Sequence, residues 1–267
     1  MTDAPPAEGP TITGNMPFYK KPEPISAARH AKLGVNKIQR PFEFARDMHV
    51  APMTIGEFPM GGLDYPIIFA GEERAPLFVM GLRERENLFV TDDGRWENHR
   101  YLPAFVRRYP FVFAEDRDNQ RFVACIDVEA PMVAENAETP LFEGQEPTAF
   151  TKDAVNFLTS FEQQRQLTRE FVLRVRELDL FEDATVTFTP NNLDGTPGEP
   201  RKIAEYVGIS YDKLKALPGE KLSELAGKGF LRAIEYHAHS LNNWQKLINR
   251  AGERQASGQQ ATSTVIN

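Results

Sequence analysis

A chain of 267 residues with 41% hydrophobic and 26% charged residues has ordinary globular composition and enough apolar content for a sizeable core. Its formal net charge of -7, from 31 basic and 38 acidic residues, argues against a nucleic-acid partner, which needs a cationic surface. One cysteine, Cys125, excludes an internal disulfide and points to a reducing compartment. No apolar run approaches the roughly 18 residues that span a bilayer, and the start MTDAPPAEGP lacks a basic and apolar leader. The expectation is a soluble, cytoplasmic protein.

Residues 1–40 read as a flexible arm, rich in proline before Ile25 and without a sustained apolar period, although Phe18 and Tyr19 could dock onto the body. From Val50 the chain changes to short apolar runs broken by turn residues. Gly61-Gly62 marks a turn. YPIIFA and PLFVMGL read as a hairpin around the GEER loop, and NLFVT as a third strand before the Asp-Asp-Gly turn. Leu102–Arg108 fits one helical turn with Pro103 at its start. FVFA and RFVACIDV continue the strand pattern on either side of EDRDNQ, so an antiparallel, meander-like sheet is expected over residues 50–128. Within it Cys125 reads as a buried, inert thiol.

Residues 129–150 read as a surface excursion. A long amphipathic helix then opens at Thr151 or Lys152, with Phe157, Leu158, Phe161, Phe171, Val172 and Val175 at helical spacing through Leu178. ATVTFT and KIAEYVGIS read as a strand pair around the loop NNLDGTPGEP, joining the first sheet. Ser210 and Asp212 are N-cap candidates for a short helix, and a second short helix runs to Gly227. The last helix reads from Phe230 to about Arg250, followed by a polar, disordered tail over 253–267. The fold class is therefore α+β: a mainly antiparallel sheet covered by two long amphipathic helices, with disordered N- and C-terminal tails. A single domain over 41–252 is expected.

The residues that could carry chemistry lie in the central stretch from Met48 to Phe113. His49, Glu57 and Asp64 are the most plausible metal or acid–base set, but a non-haem iron site wants two histidines and a carboxylate. The alternative is that Glu57 and Asp64 accept hydrogen bonds at turns and strand ends. His237 and His239 would point apart on a helix, so they make a poor metal pair. No nucleophile elbow, phosphate loop or dinucleotide fingerprint is present. The most suggestive segment is Arg107-Arg108-Tyr109-Pro110-Phe111. One of its adjacent guanidiniums could pair with a carboxylate such as Glu115 while the other meets an anionic ligand or partner, with aromatics to stack on.

The strings HVAPMTIGEFPMGGLDYPIIFA, PLFVMGLRERENLFVTDDGRW, YLPAFVRRYPFVFAE and CIDVEA, followed by LFEGQEPT, FLTSFEQQRQLTREFV and YVGISYDKLKALPGEKLSELAGKGFLRAIEYHAHSLNNWQKLINR, resemble the bacterial SapC family. The resemblance covers roughly residues 46–250. It implies a bacterial protein whose family name reflects an association with surface layers, often near genes for outer-membrane uptake receptors. It carries over no catalytic residues. A peptide-transporter permease shares the label but belongs to a membrane family, which a chain without a spanning segment does not fit.

The reading is thus of a binding or accessory protein that leans away from enzymatic activity and implies no cofactor or metal. Its partner is a protein or a small anionic ligand, contacted by Arg107, Arg108 and Tyr109 with His49, Glu57 and Asp64 as neighbours. Composition leaves the oligomeric state open. The second reading is a metal-assisted oxygenase or hydrolase that uses His49 and the nearby carboxylates.

Overall fold

The computed structural model describes residues 17–116, 121–190 and 196–264. The first sixteen residues of the expected arm, four residues of the EDRDNQ turn, the NNLDG segment and the last three residues of the tail lie outside the described residues. In chain order the strands are β1 (Pro22–Pro24), β2 (Leu33–Val35), β3 (Val50–Pro52), β4 (Ile67–Ala70), β5 (Ala75–Val79), β6 (Phe111–Asp116), β7 (Arg121–Asp127), β8 (Val133–Glu135), β9 (Thr139–Pro140), β10 (Phe142–Glu143), β11 (Glu146–Pro147), β12 (Phe181–Phe188) and β13 (Arg201–Ile209). The α-helices are α1 (Ala27–His30), α2 (Phe58–Gly61), α3 (Ala104–Arg107), α4 (Ala149–Glu177), α5 (Tyr211–Lys215), α6 (Gly219–Gly227), α7 (Phe230–Ser240) and α8 (Asn243–Thr264). The fold is α+β with antiparallel sheets, and α4 and α8 are its long helices. Among the described residues no helix is long and apolar enough to cross a membrane.

Two compact units form. The first draws on the chain up to Phe44 and on Val106–Glu162; the second on Ala45–Phe105 and the chain from Gln163 onward. Helix α4 runs unbroken through the boundary.

The second unit is built on a five-stranded antiparallel sheet in the order β12-β13-β4-β5-β3. YPIIFA and PLFVMGL form the expected hairpin around GEER, where Gly71 and Arg74 take positive φ. The β12–β13 hairpin joins this sheet through Val207 opposite Phe69. Phe171 of α4 centres the packing, with Phe58 at 5.8 Å, Phe230 at 5.4 Å and Phe69 at 6.4 Å between ring centroids. The Gly61-Gly62 pair ends α2 and opens the expected turn, where the Gly61 carbonyl accepts the Asp64 N–H at 3.0 Å; it also serves close packing, since a Cβ on Gly61 would run into the Phe78 ring.

NLFVT does not form a strand. Asn87 is buried; its Nδ2 donates to the Ala45 carbonyl at 2.9 Å, and its Oδ1 accepts the Phe89 N–H at 2.9 Å. This local acceptor competes with ladder pairing. Among the described residues it makes an isolated bridge, between Val90 and Trp96. The last helix is also divided: α7 stops at Ser240, and α8 opens with Asn243, whose Nδ2 bonds the carbonyls of Gly62 at 2.7 Å and Tyr65 at 3.2 Å. Helix α8 then continues past Arg250 to Thr264. Good helix formers such as Glu253, Gln255 and Ala256 favour this, and Arg254 is anchored on the carbonyls of Asn87 at 2.8 Å and Val90 at 2.7 Å.

In the first unit the strands expected to extend the same sheet form a separate one, in the order β1-β7-β6. The part of the arm that is described is structured. Strand β1 pairs with β7, Pro22 opposite Asp127 and Pro24 opposite Cys125, and β2 is the centre of a sheet with β8 and β9. Proline suits β1 because it lies on an edge, where one side of the backbone needs no partner. Phe18 and Tyr19 dock as expected, packing with Phe44 around Tyr109, Ala130 and Met132. The 129–150 excursion carries core residues too. Leu141 and Phe142 pack with Phe111, Ile126 and Leu158.

Candidate functional site

In the first unit the RRYPF corner follows α3. Arg107 is exposed, and its guanidinium carbon lies 4.9 Å from the centre of the Phe157 ring. Arg108 is half-buried, 5.1 Å from the Phe161 ring and 5.9 Å from the Tyr19 ring. Phe157 and Phe161 stand four residues apart on α4, hence one above the other on a single helix face. Two adjacent cations are therefore held over two successive rings of one helix. Each such contact contributes about 0.5–1 kcal/mol where solvent reaches it, and it keeps a guanidinium's N–H edge available while its flat face is occupied.

Tyr109 supports this corner from the inside. It is buried, its hydroxyl donates to Asp127 Oδ2 at 3.3 Å, and its ring packs on Phe18, Tyr19 and Phe44 at 5.4, 5.2 and 4.2 Å. Burial pushes the Tyr109 phenol well above its ordinary range, with the Asp127 charge adding to the shift. Tyr19, also raised by burial, is pushed up to about 12.

Asp127 is the residue that the sequence does not announce. Fully buried at the end of β7, it accepts the N–H groups of Lys20 at 2.9 Å, Lys21 at 2.8 Å and Glu129 at 3.2 Å besides the Tyr109 hydroxyl. Several hydrogen bonds are what a buried carboxylate needs. Three of these four donors lie 18 or more residues away in sequence, so no local pattern could reveal them. Phe157 and Phe161, by contrast, are visible in the sequence as part of the apolar helix face; their role as seats for the arginines is not.

His49, Glu57 and Asp64 lie in the second unit. Glu57 is buried and saturated. Its Oε2 accepts the Thr54 N–H at 2.8 Å and hydroxyl at 3.1 Å, while Oε1 accepts the Ala104 N–H at 2.7 Å and the Tyr101 hydroxyl at 3.2 Å. The Thr54 contact is the reciprocal half of a capping box, dictated locally by the Thr-x-x-Glu spacing. Asp64 accepts from Arg100 at 3.0 Å and from the Tyr101 N–H at 2.7 Å. The two carboxylates thus meet on the Arg100–Ala104 segment and fix it in place. His49 sits just before β3, and its carbonyl accepts the N–H groups of Met80 at 2.7 Å and Gly81 at 3.0 Å.

Among the described residues no group of three or more His, Cys, Asp or Glu is placed to hold a metal ion. His237 is wholly buried, with Nε2 accepting the Ile209 N–H at 3.0 Å, so it belongs to the packing of α7 on β13 rather than to a pair with His239. Cys125 is buried in β7, and burial pushes its thiol up to about 11, consistent with an inert packing residue.

A family model, SapC, matches residues 25–247 of the chain. No curated protein matches it, and no solved structure does.

Proposed function

The chain belongs to the SapC family, and from that premise we propose that it is a cytoplasmic accessory protein that binds a partner rather than transforms one. The observation that supports this reading is the pair of guanidiniums seated on Phe157 and Phe161. Arg107 offers an exposed, pre-oriented cation for a carboxylate or phosphate on a protein or a small anionic ligand. Arg108 and the buried Tyr109 hold that corner in shape. The systems served are those of the surface layer or of outer-membrane uptake.

A catalytic reading through His49, Glu57 and Asp64 gains no support from the geometry. Both carboxylates already accept hydrogen bonds from their own chain, and their donors all lie in loop and helix-start backbone or in flanking side chains.

The test is affinity capture with the tagged full chain, compared among wild type, Arg107→Ala and Arg107→Lys, with circular dichroism as the control for folding. Loss of the same partner in the alanine variant, with an unchanged spectrum, is the expected result. Lysine should recover only part of it, because it lacks the planar fork of donors. Equal capture by the wild type and the alanine variant would remove the corner from the proposal.

A further inference from the structure

Among the described residues the second unit leaves one long sheet edge open. In the order β12-β13-β4-β5-β3, the outer strand β3 is three residues long and ends in Pro52, which cannot donate to a further strand. At the other side β12 runs for eight residues, Phe181–Phe188, without a proline. Among the described residues its only strand partner is β13. An antiparallel strand turns alternate N–H and C=O groups to either side, so β12 presents a row of backbone donors and acceptors outward.

The two edges of the β12–β13 hairpin differ in chemistry. Strand β13 joins β4 at Val207, so its first half, Arg201–Tyr206, extends beyond that pairing. That half carries Arg201, Lys202 and Glu205, the kind of charges that blunt an edge. Strand β12 carries its charges, Glu182 and Asp183, at one end only; Ala184-Thr185-Val186-Thr187-Phe188 is uncharged. Along it Ala184, Val186 and Phe188 are half-buried, while Thr185 and Thr187 are exposed on the opposite face. A two-stranded ribbon is marginal alone in water, and another strand would stabilise it.

We propose that β12 pairs antiparallel with β12 of a second copy of this chain, joining the two five-stranded sheets across a two-fold axis. Such an axis stands normal to the sheet and keeps each face on its own side. Every residue must then lie opposite one of the same alternation, which restricts the register. Centring on Asp183 would set Asp183 against Asp183, a like-charge pair. Centring on Thr185 sets Thr185 against Thr185, Ala184 against Val186, Asp183 against Thr187 and Glu182 against Phe188. No like charges then meet. The central threonines form a favourable cross-strand pair, and the half-buried stripe of Ala184, Val186 and Phe188 continues from one protomer into the next. The strand is complementary to itself in this register.

Sedimentation of the full chain tests this. The wild type should sediment at the dimer mass, and Thr185→Lys, which places two ammonium groups at the axis, should sediment as a monomer with an unchanged circular dichroism spectrum. Thr185→Cys should form a covalent dimer under mild oxidation, whereas Thr187→Cys, which faces Asp183 of the other copy, should not. The buried Cys125 does not compete. A wild type that stays monomeric at all concentrations, or a dimer that survives Thr185→Lys, would overturn the proposal. So would failure of Thr185→Cys to cross-link a dimer.

Discussion

The imidazole of His237 accepts the backbone N–H of Ile209 through Nε2 at 3.0 Å, tying α7 to the end of β13 inside the second unit. The ring is fully buried and packs edge-on to Phe69 at 5.3 Å. A proton on Nε2 would abolish this acceptor and bury a charge. Burial accordingly lowers the His237 pKa from 6.5 to about 4.

This makes stability depend on pH in a defined window. Between pH 6.5 and about 4 the unfolded chain takes up the proton and the folded chain resists it, so acidification favours unfolding. The contribution is complete above about pH 6.5 and is lost progressively toward pH 4. It amounts to about 3 kcal/mol over the whole window. Urea midpoints measured from pH 7.5 to 4.5 should fall, and His237→Gln should flatten the part of the slope that this residue supplies. An identical slope in wild type and variant would remove His237 as its source.

Glu57 offers a test that separates support from chemistry. Its four donors include the backbone N–H groups of Thr54 and Ala104. Glu57→Ala strands those buried donors, at about 1–3 kcal/mol each. The variant should therefore lose a large part of its stability in urea denaturation. Glu57→Gln should recover some of it, since the amide oxygen still accepts while its NH₂ faces other donors. A variant as stable as the wild type would show that the carboxylate is not structural and would return it to the list of candidate catalytic groups.

How far the sequence reveals the fold depends on whether the deciding interaction is local. The β4–β5 hairpin, the Ser210 cap that accepts from Lys213 at 3.4 Å, and α4 are legible because turn residues, a cap and a 3.6-residue period sit next to the elements they define. NLFVT has strand composition, but Asn87 reaches back 42 residues to the Ala45 carbonyl and bends the run. The Pro22–Pro24 segment reads as arm until β7 supplies the missing partner and Asp127 fixes the residues just before it. At the candidate site the same division holds: Glu57 and Asp64 are readable as turn and strand-end acceptors, whereas the seating of Arg107 on Phe157 joins residues fifty positions apart. Tyr109, readable only as an aromatic beside cations, is internal because its hydroxyl has Asp127 to bond.

Helix α4 allows a prediction about domain organisation. Its residues through Glu162 belong to the first unit and those from Gln163 to the second, without a break in the helix. Helix formation is cooperative along the chain, so melting either end should weaken the other. The single-domain reading of residues 41–252 then predicts one unfolding transition, with far-ultraviolet and tryptophan signals coinciding. Both tryptophans, Trp96 and Trp244, report on the second unit. A far-ultraviolet transition that precedes or follows the tryptophan signal would mean that the units unfold separately.

Asp127 gives the sharpest test of the described part of the N-terminal segment. Four hydrogen bonds converge on its carboxylate, two of them from the Lys20 and Lys21 backbone, and Val128 N–H returns one to the Lys21 carbonyl at 3.1 Å. Asp127→Ala removes the acceptor but leaves the β1 pairing to β7 through Glu23 opposite Ile126 and Pro24 opposite Cys125. Two or three pairs without an anchor are a weak ribbon, since strands of this length draw most of their hold from what flanks them. Hydrogen exchange should therefore accelerate at Lys20, Lys21 and Glu23 in Asp127→Ala. The amides of β12 and β13, in the other unit, should accelerate much less. Asp127→Asn keeps one acceptor oxygen and should give intermediate rates. Unchanged protection at Lys20 and Lys21 in the alanine variant would mean that aromatic packing of Phe18 and Tyr19 alone holds the segment.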